Sequence, residues 1–341
     1  MNGYAVLILP SANRVYADAA VELTLAELEV FNTAVLDGRL IDIMPTTVGG
    51  LPYVEFTAPA LTDRDVAYLA NASSLYALFQ REGELLRPVA LRGLAHLDED
   101  LITIPKYAGK TNEQFTKLLL NVTLLSCESA QSILDGRLKV LDPLCGRGTT
   151  LNQALVYGYD VAGIDLDGKD FDAYASFLRT YLQRKRIKHH AEVSPVRREK
   201  KLVARRLTAT LGPVPQRVDV VHADTTSARD FFKPNSFHAI VADAPYGVQH
   251  GSRTVAAGLR RAPLGLLEEA VPAWVPLLRP GGAVGISWNT HVAKRNDAAA
   301  VLSANGLTVL NGPPYDRFRH RVDQSISRDI LVGVKERAPS T

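Results

Sequence analysis

The chain has 341 residues, of which 46% are hydrophobic and 22% charged, with a formal net charge of +3. This composition is ordinary for a globular protein with room for two domains, and no apolar run reaches the roughly 18 residues of a membrane span. The first apolar run has no basic leader, so we interpret it as a strand and not as a signal peptide. Cys127 and Cys145 give neither a disulfide framework nor a zinc-site spacing, which predicts a cytoplasmic, reducing location and no metal.

The first 105 residues alternate between strand-like and helix-like segments. The patterns "YAVLILP" and "LPYVEFTA" predict strands, and "TLAELEVFNTAVLDG" predicts a helix that stops at Gly38. The segment "TDRDVAYLANASSLYALFQREG" predicts one or two helices beginning from a cap at Thr62 or Asp63. We therefore expect a smaller α+β N-terminal domain over residues 1–105.

Residues 106–341 are predicted to form a second domain of α/β type. The polar joint "IPKYAGKTN" precedes a helix, "EQFTKLLLNVTLLSCESAQSIL", that ends near Gly136. Seven strands are then predicted, with helices between the first five: "LKVLD", "DVAGID", "VDVVHAD", "SFHAIVAD", "AVGISWN", "LTVL" and "DILVGVK". This rhythm indicates a mostly parallel, doubly wound, Rossmann-like sheet, in which ligands bind beyond the carboxyl ends of the strands.

The first three of these strands each end in an acid. Asp142 opens "DPLCGRGTTLNQAL", a strand-to-helix turn with small residues, where a carboxylate suits a cationic ligand. Asp165 closes the next strand, where an acid accepts hydrogen bonds from ribose hydroxyls, and Asp167 is an alternate. Asp224 in "HADTT" either binds an adenine amino group or caps the following helix. Together the three ends predict a pocket for S-adenosylmethionine.

The fourth strand ends in the tetrapeptide Asp243, Ala244, Pro245 and Tyr246. Alone it is compatible with a plain turn. After three acidic strand ends, D-A-P-Y resembles the (D/N)-P-P-Y motif of exocyclic amino methyltransferases, which hold a flipped-out base. The resemblance implies that Asp243 and a backbone carbonyl of Ala244 or Pro245 accept the amino hydrogens, while Tyr246 stacks on the base.

The motifs "DPLCGRGTT", "GIDLD", "HADTT" and "DAPYGVQHG" together resemble those of the tRNA guanosine-N2 methyltransferases that join a THUMP-containing region to a Rossmann-like methyltransferase domain. The resemblance covers roughly residues 105–335, and the N-terminal region would be a reduced THUMP-like RNA-binding region. It departs from the family pattern at Ala244, which replaces a proline. It implies cofactor contacts at Thr111, Asn112, Phe115, Asp142, Pro143, Cys145, Gly146, Gly148, Thr149, Thr150, Asp165 and Asp224. For Cys145 the residues themselves favour a simple packing role.

A basic tract lies between the second and third predicted strands. Residues 184–206 contain ten Lys or Arg and two Glu, a local balance of +8, so the rest of the chain sums to −5. Such a tract is either a solvated helix face or a phosphate-binding surface. With the methyltransferase resemblance we favour RNA binding by Arg184, Lys185, Arg186, Arg197, Arg198, Lys200, Lys201, Arg205, Arg206 and Arg253. Near the C-terminus "RFRHRVDQSISRD" predicts a solvated hairpin or part of the substrate entrance.

The leading hypothesis is an S-adenosylmethionine-dependent methyltransferase that modifies an exocyclic amino group in RNA, with guanine N2 of tRNA as first choice. A DNA amino methyltransferase producing N6-methyladenine or N4-methylcytosine stays open, since the tetrapeptide recognises any amino group beside a ring nitrogen. A non-catalytic nucleic-acid-binding relative also stays open, because Ala244 departs from the motif.

Overall fold

The computed structural model describes residues 1–11, 13–245 and 263–337. Its strands are β1 Asn2–Ile8, β2 Ile41–Val48, β3 Leu51–Ala58, β4 Leu75–Glu82, β5 Leu85–Val89, β6 Lys139–Asp142, β7 Asp160–Asp165, β8 His189–Arg198, β9 Lys201–Leu211, β10 Gln216–His222, β11 Phe237–Asp243, β12 Leu278–Asn289, β13 Thr308–Leu310, β14 His320–Arg321 and β15 Ser327–Val334. Its α-helices are α1 Arg14–Val35, α2 Asp63–Leu69, α3 Asp100–Thr103, α4 Glu113–Leu125, α5 Thr149–Val156, α6 Gly168–Arg184, α7 Pro263–Trp274 and α8 Arg295–Ala304. Short 3-10 helices lie at Ala130–Asp135, Thr225–Asp230 and Val275–Leu277.

The N-terminal sheet has the order β2-β3-β1-β4-β5 and is antiparallel throughout. With α1 and α2 inserted, the order β-α-β-β-α-β is that of a ferredoxin-like split βαβ unit. Alternate residues such as Tyr4, Val6 and Phe56 point into the core, as the two-residue period of a half-buried sheet requires.

One helix prediction in this region was wrong. Only Asp63–Leu69 is helical, beginning from the predicted cap at Thr62, whose side chain forms a capping box with Asp65. The remainder, Leu75–Glu82, is a strand that pairs with β1 and β5. A short apolar run does not by itself distinguish a strand from a helix, so the pairing with neighbouring strands determines that this segment is a strand.

The large sheet runs β13-β15-β12-β11-β6-β7-β10-β9-β8, and β14 pairs with β15. Strands β10, β7, β6, β11 and β12 are parallel. The predicted Rossmann-like α/β fold is confirmed, and all seven predicted strands are present. The basic tract adds the antiparallel hairpin β8–β9 beyond β10, so most of the tract is not a helix face.

Helix α4 packs against α1, α5 and the strands β11 and β12 of the large sheet, and most of its residues are buried. Its Asn121 donates from Nδ2 to Oε1 of the buried Glu27 on α1, at 2.8 Å, and the same carboxylate accepts the Ser73 backbone N–H at 2.9 Å. Burial raises the pKa of Glu27. The apolar core continues from the N-terminal sheet across α4 into the large sheet. The division at residue 105 therefore stays a prediction.

None of the helices in the described ranges is long and apolar enough to cross a membrane.

Candidate active site

A cavity of about 520 Å³ opens at the carboxyl edge of the large sheet, which we call the pocket edge. Four neighbouring strands, β11, β6, β7 and β10, each bring an aspartate to it: Asp243, Asp142, Asp165 and Asp224. The first three are the last residues of their strands, and Asp224 follows β10 by two residues. Parallel strands that end together place these side chains around one space, as the sequence predicted.

Asp142 lies at the deepest point of this group, with 3% of its surface exposed. Its Oδ1 accepts the Leu144 backbone N–H at 3.0 Å. The pKa of Asp142 is raised to about 7, mainly by burial and to a smaller extent by repulsion from the nearby carboxylates of Asp165 and Asp243. A cationic ligand beside Asp142 would favour the ionised carboxylate and relieve this unfavourable burial.

Asp165 holds the glycine turn in place. Its Oδ2 accepts the Gly146 backbone N–H at 2.7 Å, and its Oδ1 accepts the Asp167 backbone N–H at 2.8 Å. Gly146 has φ +48°, and a Cβ built there meets no atom within 4 Å. Burial raises the pKa of Asp165 as well. Each carboxylate oxygen keeps a second lone pair, so Asp165 can still accept a ligand hydroxyl.

Two predicted cofactor residues shape the walls without lining the cavity. Gly148 has φ +79°, and a Cβ on it would lie 2.3 Å from the ring of Tyr174, so this close packing requires glycine. Asn112 caps α4, where its Oδ1 accepts the Phe115 backbone N–H at 3.0 Å. Both residues hold the elements that carry lining side chains.

The other predicted cofactor residues all line the cavity: Thr111, Phe115, Asp142, Pro143, Cys145, Gly146, Thr149, Thr150, Asp165 and Asp224. Asp224 also caps the following 3-10 helix, accepting the Thr226 backbone N–H at 2.9 Å, so both interpretations of this residue fit its position. Burial raises the pKa of the Cys145 thiol well above its usual range. Such a thiol is protonated and unreactive, which agrees with a packing role.

Asp243 is held by two hydroxyl groups. Thr111 Oγ1 donates to Asp243 Oδ2 at 2.5 Å, and Ser287 Oγ donates to Asp243 Oδ1 at 2.6 Å. Ser287 is fully buried on β12, directly opposite Asp243 in the parallel register. Thr111 comes from the segment before α4, so this carboxylate is fixed from both sides. Ser287 was missed in the sequence, where its only signal is its position near the end of a strand.

Ala244 and Pro245 also line the cavity. The Ala244 backbone N–H donates to the Ser287 carbonyl at 2.8 Å. A proline at this position has no N–H and could not make that bond. The departure from the usual tetrapeptide is thus accompanied by a hydrogen bond that holds the turn to β12. Tyr246 and Arg253 lie outside the described residues.

Arg147, Asp170 and Tyr107 are among the lining residues that were not predicted from the sequence. Arg147 Nε donates to Asp170 Oδ1 at 2.8 Å, and the Arg147 guanidinium lies 4.9 Å from the ring centroid of Tyr107. The Tyr107 hydroxyl is 2.8 Å from Thr149 Oγ1. These contacts attach the segment before α4 to the glycine turn. No local pattern predicted these contacts, because Tyr107 and Asp170 lie 40 and 23 residues from Arg147 in the chain.

The basic tract is divided between two edges of the sheet. Helix α6 starts at the pocket edge and ends at Arg184, so Arg184, Lys185 and Arg186 lie at the opposite, amino edge. We call residues 184–188 the hairpin base. Lys185 there pairs with Asp98 and Asp100.

The hairpin β8–β9 then returns to the pocket edge, because Arg205 on β9 is opposite His222, the last residue of β10. We call residues 197–201 the hairpin tip. Arg205 and Arg206, just below it, pair with Asp172 and Asp219. The predicted RNA-binding residues therefore form two groups and not one patch.

The C-terminal hairpin also differs from a solvated one. His320 and Arg328 are 6% and 4% exposed, and the Arg328 guanidinium lies 4.1 Å from the ring centroid of Phe115. Burial lowers the pKa of His320 to about 4. This hairpin therefore packs behind a wall of the cavity.

Within the ranges that the structure describes, no cluster of His, Cys, Asp and Glu has the arrangement of a metal site.

No protein-family model and no curated protein sequence matches the chain. Solved structures similar to it include a TehB-like SAM-dependent methyltransferase from Corynebacterium glutamicum, at 19% identity over 58% of this chain and 80% of that chain, with a TM-score of 0.34. TrmN from Thermus thermophilus is 13% identical over 98% of this chain and 100% of that chain, with a TM-score of 0.45. An rRNA methylase from Streptococcus thermophilus is 10% identical over 60% of this chain and 91% of that chain, with a TM-score of 0.34. These similarities are weak and concern the fold alone.

Proposed function

We propose that this protein is an S-adenosylmethionine-dependent methyltransferase that acts on an exocyclic amino group of a base in RNA, with guanine N2 in tRNA as the first choice. The observation that carries the proposal is the set of four aspartates at four neighbouring strand ends around one cavity. Three of them suit the three polar parts of the cofactor, and the fourth lies beside them in a methyltransferase-like tetrapeptide.

The residues present fit S-adenosylmethionine. Asp142, buried with its pKa raised to about 7, suits the cationic amino acid end. Asp165 has lone pairs left for ribose hydroxyls, and Asp224 would accept a hydrogen bond from an amino group of the adenine. A cavity of about 520 Å³ is of the size that small-molecule sites have. When bound, this cofactor supplies a methyl group activated by its positively charged sulfur.

Asp243 would position the amine. An aryl amine is a weak nucleophile because its lone pair is delocalised into the ring. The Asp243 carboxylate, fixed by Thr111 and Ser287, accepts one amino hydrogen, and the carbonyl of Ala244 or Pro245 accepts the other. Two acceptors turn the nitrogen towards sp³ geometry and direct its lone pair outward. Once the nitrogen has gained the methyl group it carries a positive charge and must lose a proton. Asp243, already hydrogen-bonded to this nitrogen, would accept that proton.

Tyr246 is proposed from the sequence alone to stack on the base, a contact worth roughly 1–3 kcal/mol in other nucleic-acid sites. The choice of RNA rests on the motif resemblance and on the basic tract, which would bind phosphates without reading a base. The hydroxyl pair around Asp243 supports an active enzyme over a non-catalytic relative, because it fixes the side chain that the chemistry needs.

Two measurements test this function. Calorimetry should show binding of S-adenosylmethionine, and a tritiated methyl group should pass to total tRNA and not to genomic DNA. Transfer to DNA instead would support the amino methyltransferase of DNA, and cofactor binding without transfer to either nucleic acid would contradict the proposal. Mass spectrometry of the labelled nucleosides then identifies the methylated base.

A further inference from the structure

The hairpin tip has its position fixed by strand register. Four residues of β9, 201–204, extend beyond His222, the end of β10. At about 3.3 Å per residue they extend the tip about 13 Å past the pocket edge. The hairpin base lies at the other end of β8, nine residue steps or about 30 Å away. Only the tip therefore shares an edge with the cavity.

The tip is attached to the cavity wall. Arg198 pairs with Asp230 at 3.3 Å and donates from its guanidinium to the Asp230 carbonyl at 2.6 Å. Asp230 ends the 3-10 helix that Asp224 caps on the cavity side. The position of the tip relative to the cavity is thus fixed by direct contacts as well as by the sheet.

The tip keeps a positive charge that its neighbours do not fully neutralise. Arg197, Lys200 and Lys201 are exposed, and no ion pair joins them to an acid among the described residues. Arg198 is paired with Asp230, so Arg197, Lys200 and Lys201, together with Glu199 at the turn, leave a balance of +2. Beside this positive group lies a cavity lined by aspartates. A nucleic acid fits both features. Its anionic phosphates would bind at the positive tip, and an uncharged base would enter the cavity, where the aspartates would repel a phosphate.

We infer that the hairpin tip, and not the hairpin base, is the surface on which RNA docks by its phosphate backbone. This inference rests on the proposed function and adds to it that the hairpin tip binds the phosphate backbone of the RNA. Four strand spacings of about 4.8 Å separate β11 from β9, which places the tip about 20–25 Å from Asp243. The phosphates at the tip therefore belong to nucleotides about six or seven stacked positions from the target base, at about 3.4 Å each, or to the opposite strand of a stem.

The test compares two triple variants that remove equal charge. The tip variant carries Arg197→Gln, Lys200→Gln and Lys201→Gln, and the base variant carries Arg184→Gln, Arg186→Gln and Lys188→Gln. Affinity of the full chain for labelled total tRNA is measured by fluorescence anisotropy from 50 to 300 mM KCl, together with cofactor binding by calorimetry. The tip variant should bind tRNA at least about tenfold more weakly at low salt, with a slope of log K against log [KCl] that is shallower by about 2–3. The base variant should stay within about twofold of the wild type in affinity.

Equal losses in both variants, or none in either, would overturn the tip as the docking surface. So would the absence of tRNA binding by the wild type, or tight binding to anionic vesicles or duplex DNA in preference to tRNA. A wild type that binds tRNA through the tip but transfers no methyl group would contradict the proposed function alone. Where transfer is observed, the tip variant should raise KM for tRNA with kcat unchanged, because remote phosphate contacts are made equally in the ground and transition states.

Discussion

Two aspartates at the ends of adjacent strands, Asp142 and Asp243, line the same cavity but have different surroundings. Asp142 is fully buried beside the Leu144 backbone N–H, the Thr150 hydroxyl and other carboxylates, and burial is the main cause that raises its pKa to about 7. Asp243 is less buried and accepts hydrogen bonds from two hydroxyl groups. The difference indicates that the first is suited to a cation and the second to holding a neutral amine in one orientation. Residue type alone does not assign these tasks.

The largest expected effect is the loss of methyl transfer on replacing Asp243. Asp243→Ala should lower methyl transfer to tRNA by roughly 10²–10⁴-fold, since it removes the acceptor and proton-accepting group. Cofactor affinity measured by calorimetry should stay within a few fold of the wild type. If cofactor binding were lost instead, Asp243 would belong to the cofactor end of the cavity and the comparison would fail.

Asp142→Asn should do the reverse. We expect cofactor affinity to fall on the order of 10- to 100-fold, because a charge-assisted contact contributes about 1.5–3 kcal/mol. At saturating cofactor the transfer rate should recover most of its wild-type value. The matched control is Asp167→Asn, since Asp167 also lines the cavity but caps α6 near its surface. A similar loss in both variants would mean that Asp142 has no special role.

The raised pKa of Asp142 predicts opposite pH trends for stability and binding. Its folded-state pKa of about 7 is above the ordinary value of about 3.9, so its contribution to stability is present below about pH 4 and is lost as the pH rises through 7. The free energy of unfolding of the unliganded protein, measured by thermal unfolding, should therefore fall by a few kcal/mol between about pH 4 and pH 7 because of Asp142. The Asp142→Asn variant should not show this decrease. Cofactor affinity should rise across the same window, because the ionised carboxylate binds the cation. Parallel pH profiles for the wild type and Asp142→Asn would refute both trends.

A smaller effect is expected from the hydroxyl groups that hold Asp243. Thr111→Val and Ser287→Ala should each lower kcat by about tenfold, in line with about 1–1.5 kcal/mol for one hydrogen bond. Ser287 is not among the lining residues, so Ser287→Ala should also leave the cofactor affinity unchanged. Thr111→Ser keeps the hydroxyl and is the matched control, with kcat within about twofold of the wild type. Should Thr111→Ser be as slow as Thr111→Val, the methyl group and not the hydroxyl would be the important part of this side chain.

The sequence predicted the large sheet better than the small one. The five parallel strands of this sheet each have an apolar run that ends in an acid or a turn, and a buried parallel strand is readily recognised from such a run. The strand Leu75–Glu82 was taken for helix, because its fate depends on pairing with β1, about 70 residues earlier. The strands β2 and β5 at the edges of that sheet were missed for another reason. None of their residues is buried, so neither segment shows a clear apolar pattern.

For the candidate site, the sequence by itself determined which residues are available at the strand ends: Asp142, Asp165, Asp224 and Asp243 follow apolar runs at fixed offsets, and those offsets are local. Only the tertiary structure decided that Ser287 lies opposite Asp243, that Arg147 contacts Tyr107, and that the basic tract is divided between two edges of the sheet. These facts depend on strand order and register. Both are fixed by contacts between segments far apart in the chain, which no local pattern records.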